Sequence, residues 1–150
     1  MIDLLRKTNP GRSHGRTIRL YSIMSVTDPA GMSAAFQAAF RAGDVEALVA
    51  LYEPGAVLAP APGARAEGHA AIRAAIAQFM ALRGTMTLRT VTCMRAGELA
   101  FVESEWTLVY PGEGGKTQTM GARTAEVLRR QPNGTWKYVI DHAFGSDRTP

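Results

Sequence analysis

Near Gly84 the apolar residues of this chain change their spacing, and that change limits the fold more than any other feature. Before it, apolar side chains recur at helical intervals. Met32, Phe36, Ala39 and Phe40 form one set, Val45, Leu48, Val49 and Tyr52 a second, and Ile72, Ala75, Ile76, Phe79 and Met80 a third. From Thr85 onward the period is two, with Met86, Leu88, Thr90, Thr92 and Met94 alternating with Thr87, Arg89, Val91 and Cys93. The first half reads as helices and the second as strands.

The residues between these runs agree with that division. Asp28-Pro29 is a helix opening, with an acceptor at the cap and a preset φ at the first helical position. Gly43 closes the first helix and Asp44 caps the second. Glu53-Pro54-Gly55 stops the second helix, with Tyr52 at its end, ahead of a short strand Ala56–Ala59 and the loop Pro60-Ala61-Pro62-Gly63. A third helix is expected from about Gly68 to Leu82. Turns at Ala96-Gly97-Glu98 and Pro111–Gly115 separate strands over 85–94, 99–110 and 116 to about 130. Pro132-Asn133-Gly134 then closes a final hairpin, because Pro presets φ, Asn tolerates a left-handed φ and Gly lacks a Cβ.

Helices first and a meander of long strands afterwards make an α+β fold. Strands of this length twist and curl to stay packed. The expected architecture is a cone-shaped, curved antiparallel sheet packed on three N-terminal helices, with a hollow at its open end suited to a small molecule.

At 150 residues the chain is long enough for one domain with a real core. Its formal charge of +4 suggests a polyanion partner until the charge is located. Residues 1–23 hold Arg6, Lys7, Arg12, Arg16 and Arg19 against Asp3; from totals of 17 basic and 13 acidic residues, 12 of each remain. The excess lies in the leader, so no nucleic-acid footprint is expected on the domain. Residues 1–25 read as a disordered basic extension, with Met24 as a candidate start, and 26–147 as the folded domain. The lone Cys93 excludes an internal disulfide and reads as a small core residue. No apolar run has membrane-spanning length. A soluble, cytoplasmic protein is expected.

Candidate chemistry collects near the C-terminus. Asp141 and His142 are neighbours on a strand, so strict alternation sends them to opposite faces unless a bulge re-aims one. Alternation puts His142 with Trp136, Tyr138, Ile140 and Phe144, and Asp141 with Lys137, Val139 and Ala143. Asp141 is then either a pocket anchor or the partner of Arg123 or Arg129. Glu126 alternates with Thr124 and Leu128, which points a carboxylate at a half-buried face where it needs a partner. Glu103 and Glu105 are an acid pair or, with Arg89 and Arg95, a salt-bridged exterior. Tyr52, Trp106, Tyr138, Phe36 and Phe79 are candidate ligand-binding walls, or ordinary core. His14, His69 and His142 lack metal-ligand spacing, and Gly112–Gly115 is a hairpin tip instead of a phosphate loop. Neither metal nor cofactor is expected.

Taken together, Phe36…Phe40-Arg-Ala-Gly-Asp44, Leu51-Tyr52-Glu-Pro-Gly-Ala56-Val57, Glu67-Gly68-His-Ala-Ala-Ile72 and Glu126-Val-Leu-Arg-Arg with Asn133-Gly134-Thr-Trp136…Asp141-His142 resemble the nuclear transport factor 2-like superfamily. Within it, residues 28–145 are similar to the SnoaL-like and ketosteroid-isomerase-like proteins. The resemblance implies a cystatin-like cone and a homodimer formed through the sheet face. It also implies a cavity for a hydrophobic small molecule, with cofactor-independent isomerase, cyclase or dehydratase chemistry on a carbonyl compound as one use. A non-catalytic dimerisation or interaction module is the other. The steroid isomerases carry an acidic base on or just after the first strand. Here Ala56–Gly63 offers none, and helix one has no match for their early tyrosine. His142, Asp141 and Glu126 are the remaining candidates for proton transfer.

Overall fold

The computed structural model describes residues 25–145, so the basic leader with His14 and the possible start at Met24 lies outside the described residues. Asp28 Oδ1 accepts from the Ala30 amide at 3.0 Å and opens a short 3₁₀ turn, Pro29–Gly31. Helix α1 (Met32–Ala42) continues from it and ends where Gly43 takes a left-handed φ of 70°. Asp44 Oδ1 accepts from the Ala47 amide and starts α2 (Val45–Ala50). Helix α3 (Gly68–Met80) is the third.

The strands are β1 (Tyr52–Ala59), β2 (Ala66–Glu67), β3 (Thr85–Ala96), β4 (Leu99–Pro111), β5 (Thr117–Arg123), β6 (Ala125–Arg130) and β7 (Trp136–His142). They form one curved, unclosed sheet in the order β2-β1-β7-β6-β4-β3, with β5 also paired to β4. Helix α1 packs on β3 and α3 on β1. Between them Met32, Leu48, Ile72, Leu108, Leu128 and Trp136 are fully buried. The α+β class and curved sheet match the sequence expectation.

Four local features differ from it, each for a physical reason. Tyr52 does not end a helix; it begins β1, where it opposes Tyr138 of β7. The β1–β7 pairing is parallel, so the sheet is mixed; α3 and the whole meander separate the two strands and provide the crossover that parallel neighbours need. The expected strand over 116–130 divides at Thr124. There the side-chain Oγ1 accepts from the Ser104 amide at 2.8 Å and the Thr124 amide donates to the Ser104 carbonyl at 2.8 Å. Strand β4 consequently pairs β6 through Leu99–Val102 and β5 through Glu105–Pro111.

The fourth difference is a bulge in β3. Thr90 opposes Ser104 and Thr92 opposes Glu103, leaving Val91 as an extra residue. Past it the alternation inverts, so Met94 is 59% exposed and opposes Phe101, while Cys93 is half-buried opposite Val102.

Candidate active site

A second bulge decides which residues reach the interior. On β7, Tyr138 opposes Leu128 and Ile140 opposes Val127, so Val139 is unmatched. Trp136, Tyr138 and Asp141 therefore share the inner face at 2%, 1% and 6% exposure, while Ile140 is 47% exposed. His142 follows Ile140 outward. It is exposed and lies beside Val57, Gly63 and Arg65 in a separate outer groove. The grouping expected from strict alternation, with His142 beside Tyr138, is thus reversed: the extra residue shifts the phase by one.

The inner face of the sheet, α1 and α3 enclose a cavity of about 370 Å³. Seven of the other candidates from the sequence line it: Asp141, Glu126, Tyr52, Trp106, Tyr138, Phe36 and Phe79. Edge-to-face contacts join Phe36 to Tyr138, Phe40 to Phe79 and Phe79 to Trp106, with ring centroids 5.5–6.5 Å apart. These aromatic groups form walls around the space and do not fill it. Trp106 is fixed further by its Nε1–H, which donates to the Ala143 carbonyl at 2.6 Å.

Two carboxylates stand in this largely apolar enclosure. Glu126 on β6 directly opposes Asp141 on β7, a relation that typically sets Cβ atoms about 5 Å apart. Both face the cavity, and none of its lining residues is an arginine. Asp141 Oδ2 accepts from the Tyr52 hydroxyl at 2.6 Å. Glu126, at 2% exposure, has Ser104 Oγ 3.3 Å from its Oε2 and the Thr124 hydroxyl beside it. The salt-bridge reading suits Glu105 instead, which pairs with Arg89 on the exposed outer surface.

Burial raises both acids, because it disfavours charge. The Glu126 carboxyl is pushed up to about 8, first by desolvation and then by the charge of Asp141. Asp141 rises to about 6 through desolvation, opposed by the Tyr52 hydrogen bond and by the charge of His142. Tyr52 and Tyr138 are pushed well above their ordinary range, again chiefly by burial, so both phenols stay protonated. Near neutral pH the pair carries one proton, held mainly on Glu126.

Ser33, Thr90 and Ser104 adjoin Glu126 in the same interior through linked hydroxyls, and none stood out from the sequence as functional. The available signal was weak, a serine within each apolar face of α1 and β4. His69 sits at the start of α3 with Nε2 2.9 Å from the Tyr52 carbonyl, a structural contact that steadies the α2–β1 junction. Among the described residues, no group of three or more His, Cys, Asp or Glu could hold a metal ion, and no helix is long and apolar enough to cross a membrane.

A curved sheet wrapped on N-terminal helices, with an apolar cavity holding inward-facing carboxylates, defines the NTF2-like class. The chain belongs to the SnoaL-like domain family, whose model matches residues 33–139. It is similar to an NTF2-like protein with a cystatin-like fold from Novosphingobium aromaticivorans, at 23% identity and a TM-score of 0.67, covering 80% of each chain. A ketosteroid isomerase-like protein from Erwinia carotovora atroseptica aligns at 20% identity and a TM-score of 0.63, over 75% of this chain and 88% of that one. A Streptomyces avermitilis protein of the NTF2-like family, provisionally assigned as a dehydratase, aligns at 19% identity and a TM-score of 0.62, over 74% and 88%. At these identities the likeness is one of fold. No curated protein matches the chain significantly in sequence.

Proposed function

We propose that the cavity binds a small apolar carbonyl compound, and that Asp141 and Glu126 perform cofactor-independent proton transfer on it. The observation that carries this reading is the opposition of two buried carboxylates in an apolar cavity, one of them accepting a hydrogen bond from a tyrosine hydroxyl. Their environments separate their roles. Asp141, ionised near neutral pH, takes a proton from the carbon alpha to the carbonyl. Glu126, protonated, gives its proton to the oxygen on which charge develops. As the carbonyl re-forms, the enol O–H proton returns to Glu126, and return of the Asp141 proton to a different carbon completes an isomerisation. Delivery of the Asp141 proton to a departing β-hydroxyl instead releases water and completes a dehydration. Both outcomes share the first step, and the isomerase-like and dehydratase-like neighbours support that common step. The volume of about 370 Å³ lies at the lower end of the roughly 300–1,000 Å³ of small-molecule sites.

The test is a ligand screen of hydrophobic ketones and β-hydroxy carbonyl compounds, scored by thermal shift and by exchange of the α-hydrogen in deuterated water. Asp141→Asn should abolish exchange and leave ligand binding largely intact. Exchange that persists in Asp141→Asn refutes the assignment of Asp141 as base.

An apolar row on the outer face supports the second part of the proposal, a cytoplasmic homodimer formed through the sheet. Val57 opposes Ile140, Ile140 opposes Val127, Val127 opposes Phe101, and Phe101 opposes Met94, so the row crosses five strands. Met94 and Ile140 leave about half of their surface exposed, at 59% and 47%. Sedimentation of Met94→Glu/Ile140→Glu should show monomers. If cavity variants change no binding property while this face still assembles, the chain is a dimerisation module instead.

A further inference from the structure

Two buried phenols stand beside the acids, and only one of them is engaged. The Tyr52 hydroxyl donates to Asp141 at 2.6 Å. The Tyr138 hydroxyl feels the charge of both Glu126 and Asp141 but has no hydrogen-bond partner among the described residues. Nor is any buried side-chain nitrogen or oxygen among those residues walled off without a partner. The 1% of Tyr138 that stays exposed therefore includes its hydroxyl, and because Tyr138 lines the cavity, that hydroxyl opens on it. Only what enters the cavity, water or a ligand, can meet it.

What this hydroxyl offers is fixed. Burial first, and then the charges of Glu126 and Asp141, push Tyr138 well above its ordinary range, so the phenol keeps its proton and serves as a donor. Its ring is held by Phe36, edge-to-face with centroids 6.5 Å apart, and by Tyr52 at 4.8 Å. A fixed donor in an apolar enclosure orients a ligand through one of the ligand's acceptor atoms.

Position says which atom. Asp141 is the cross-strand neighbour of Glu126 and also the next inward-facing residue after Tyr138 along β7. The base thus has one proton donor across the strand pair and a second along its own strand. With the α-carbon at Asp141 and the carbonyl oxygen at Glu126, the β-carbon extends away from Glu126, and an oxygen on it meets the second donor.

We propose that Tyr138 recognises a second oxygen on the ligand, at the carbon β to the carbonyl, so that the cavity takes a β-hydroxy carbonyl compound in preference to a plain ketone. Its use rests on the proton-transfer reading above and selects the dehydration. Asp141 passes the α-proton to the β-hydroxyl, the carbon–oxygen bond breaks, and water leaves while the Glu126 proton returns from the enol oxygen. Tyr138 holds the departing oxygen and keeps its own proton.

The test compares methyl hexyl ketone with its β-hydroxy derivative by calorimetric titration of the full chain. Binding is measured in Asp141→Asn, which cannot take the α-proton. Adding Tyr138→Phe should weaken the β-hydroxy ketone roughly tenfold and leave the plain ketone within about twofold. Equal weakening of both would mean that Tyr138 reads the shared carbonyl, and no weakening of either would mean that it reads nothing; each overturns the proposal. In the ligand-free protein, Tyr138→Phe keeps the ring contacts and removes a hydroxyl without a protein partner, so Tm should not fall. A fall of about 4 °C or more, the size that a lost hydrogen bond gives, also overturns it. The proton-transfer reading is followed separately, by α-hydrogen exchange in wild type. Exchange without discrimination between the ligands refutes the role of Tyr138 and keeps the function. Discrimination without exchange refutes the function and keeps Tyr138 as the residue that reads the second oxygen, whereas binding of neither ligand refutes both.

Discussion

Replacing Glu126 by Gln should stabilise this protein in alkaline solution and have little effect in mild acid. The folded chain binds the Glu126 proton more tightly than the unfolded chain, since burial lifts the group from 4.5 to about 8. Protonation therefore favours folding. The stabilisation is fully present below the unfolded value and is lost as pH rises through the folded one. The gap of about 3.5 units, at about 1.4 kcal/mol per unit, sets a ceiling on the order of 5 kcal/mol. Water drawn in around the ionised carboxylate reduces the realised penalty to several kcal/mol or less. Glutamine matches the shape of the protonated acid, accepts from Ser104 through its amide oxygen, and never ionises. Denaturant unfolding at about pH 5 and about pH 9 should give near-equal stabilities for both proteins in acid. In alkali the variant should gain about 2–4 kcal/mol, equivalent at about 2–4 °C per kcal/mol to a rise in Tm on the order of 4–16 °C. Equal stabilities at both pH values, or a variant weaker in alkali, would refute the claim that Glu126 is buried and neutral.

The remaining predictions concern the other side of the pair. Tyr52→Phe removes the donor to ionised Asp141, so the Asp141 midpoint should move up from about 6, by roughly 1–2 units, in a carboxyl-carbon NMR titration. An unchanged midpoint would mean that the Tyr52 contact does not favour the ionised acid. His142→Ala removes an exposed group outside the cavity, so stability should stay within about 0.5 kcal/mol and ligand affinity should not change; a lost affinity would return His142 to the site. Deleting Val139 removes the bulge yet keeps Asp141 in phase with Tyr138, so the Asp141 titration should remain raised. Asp141 titrating as an exposed carboxylate in that variant would refute the register.

The fold was legible because its signals are local. The change of period at Thr85, the caps at Asp28, Gly43 and Asp44, and the Pro132-Asn133-Gly134 turn depend on short stretches of chain. The cavity walls were legible because aromatic residues on one strand or helix face have few other places to go. What escaped were phase and long-range pairing. Val91 and Val139 carry no mark of a bulge, since β-branched residues suit any strand position, and each inverts the faces of the residues after it. The parallel β1–β7 contact joins residues far apart in sequence, so nothing near Tyr52 announces that its hydroxyl will meet Asp141. The arginine partners considered for Asp141 assumed an outward-facing acid, and the bulge at Val139 removes that premise.

The two bulges matter chemically because they help to give two similar acids unequal hydrogen-bond donors. The β7 bulge turns Asp141 toward Tyr52, a phenol whose proton can only be donated to it. The β3 bulge falls immediately after Thr90, which keeps that hydroxyl opposite Ser104 while sending Met94 to the outer surface. Both acids face donors, but unequal ones: the Tyr52 hydroxyl donates to Asp141 at 2.6 Å, and Ser104 Oγ donates to Glu126 at 3.3 Å. Burial alone would raise both acids and leave the shared proton free to sit on either. The shorter bond to Asp141 breaks that symmetry, because a donor stabilises the carboxylate it reaches. The charge of Asp141 then raises Glu126 further, so the shared proton rests mainly on Glu126. The division into base and acid therefore follows from which hydroxyls the sheet register brings to each carboxyl, and at what distance.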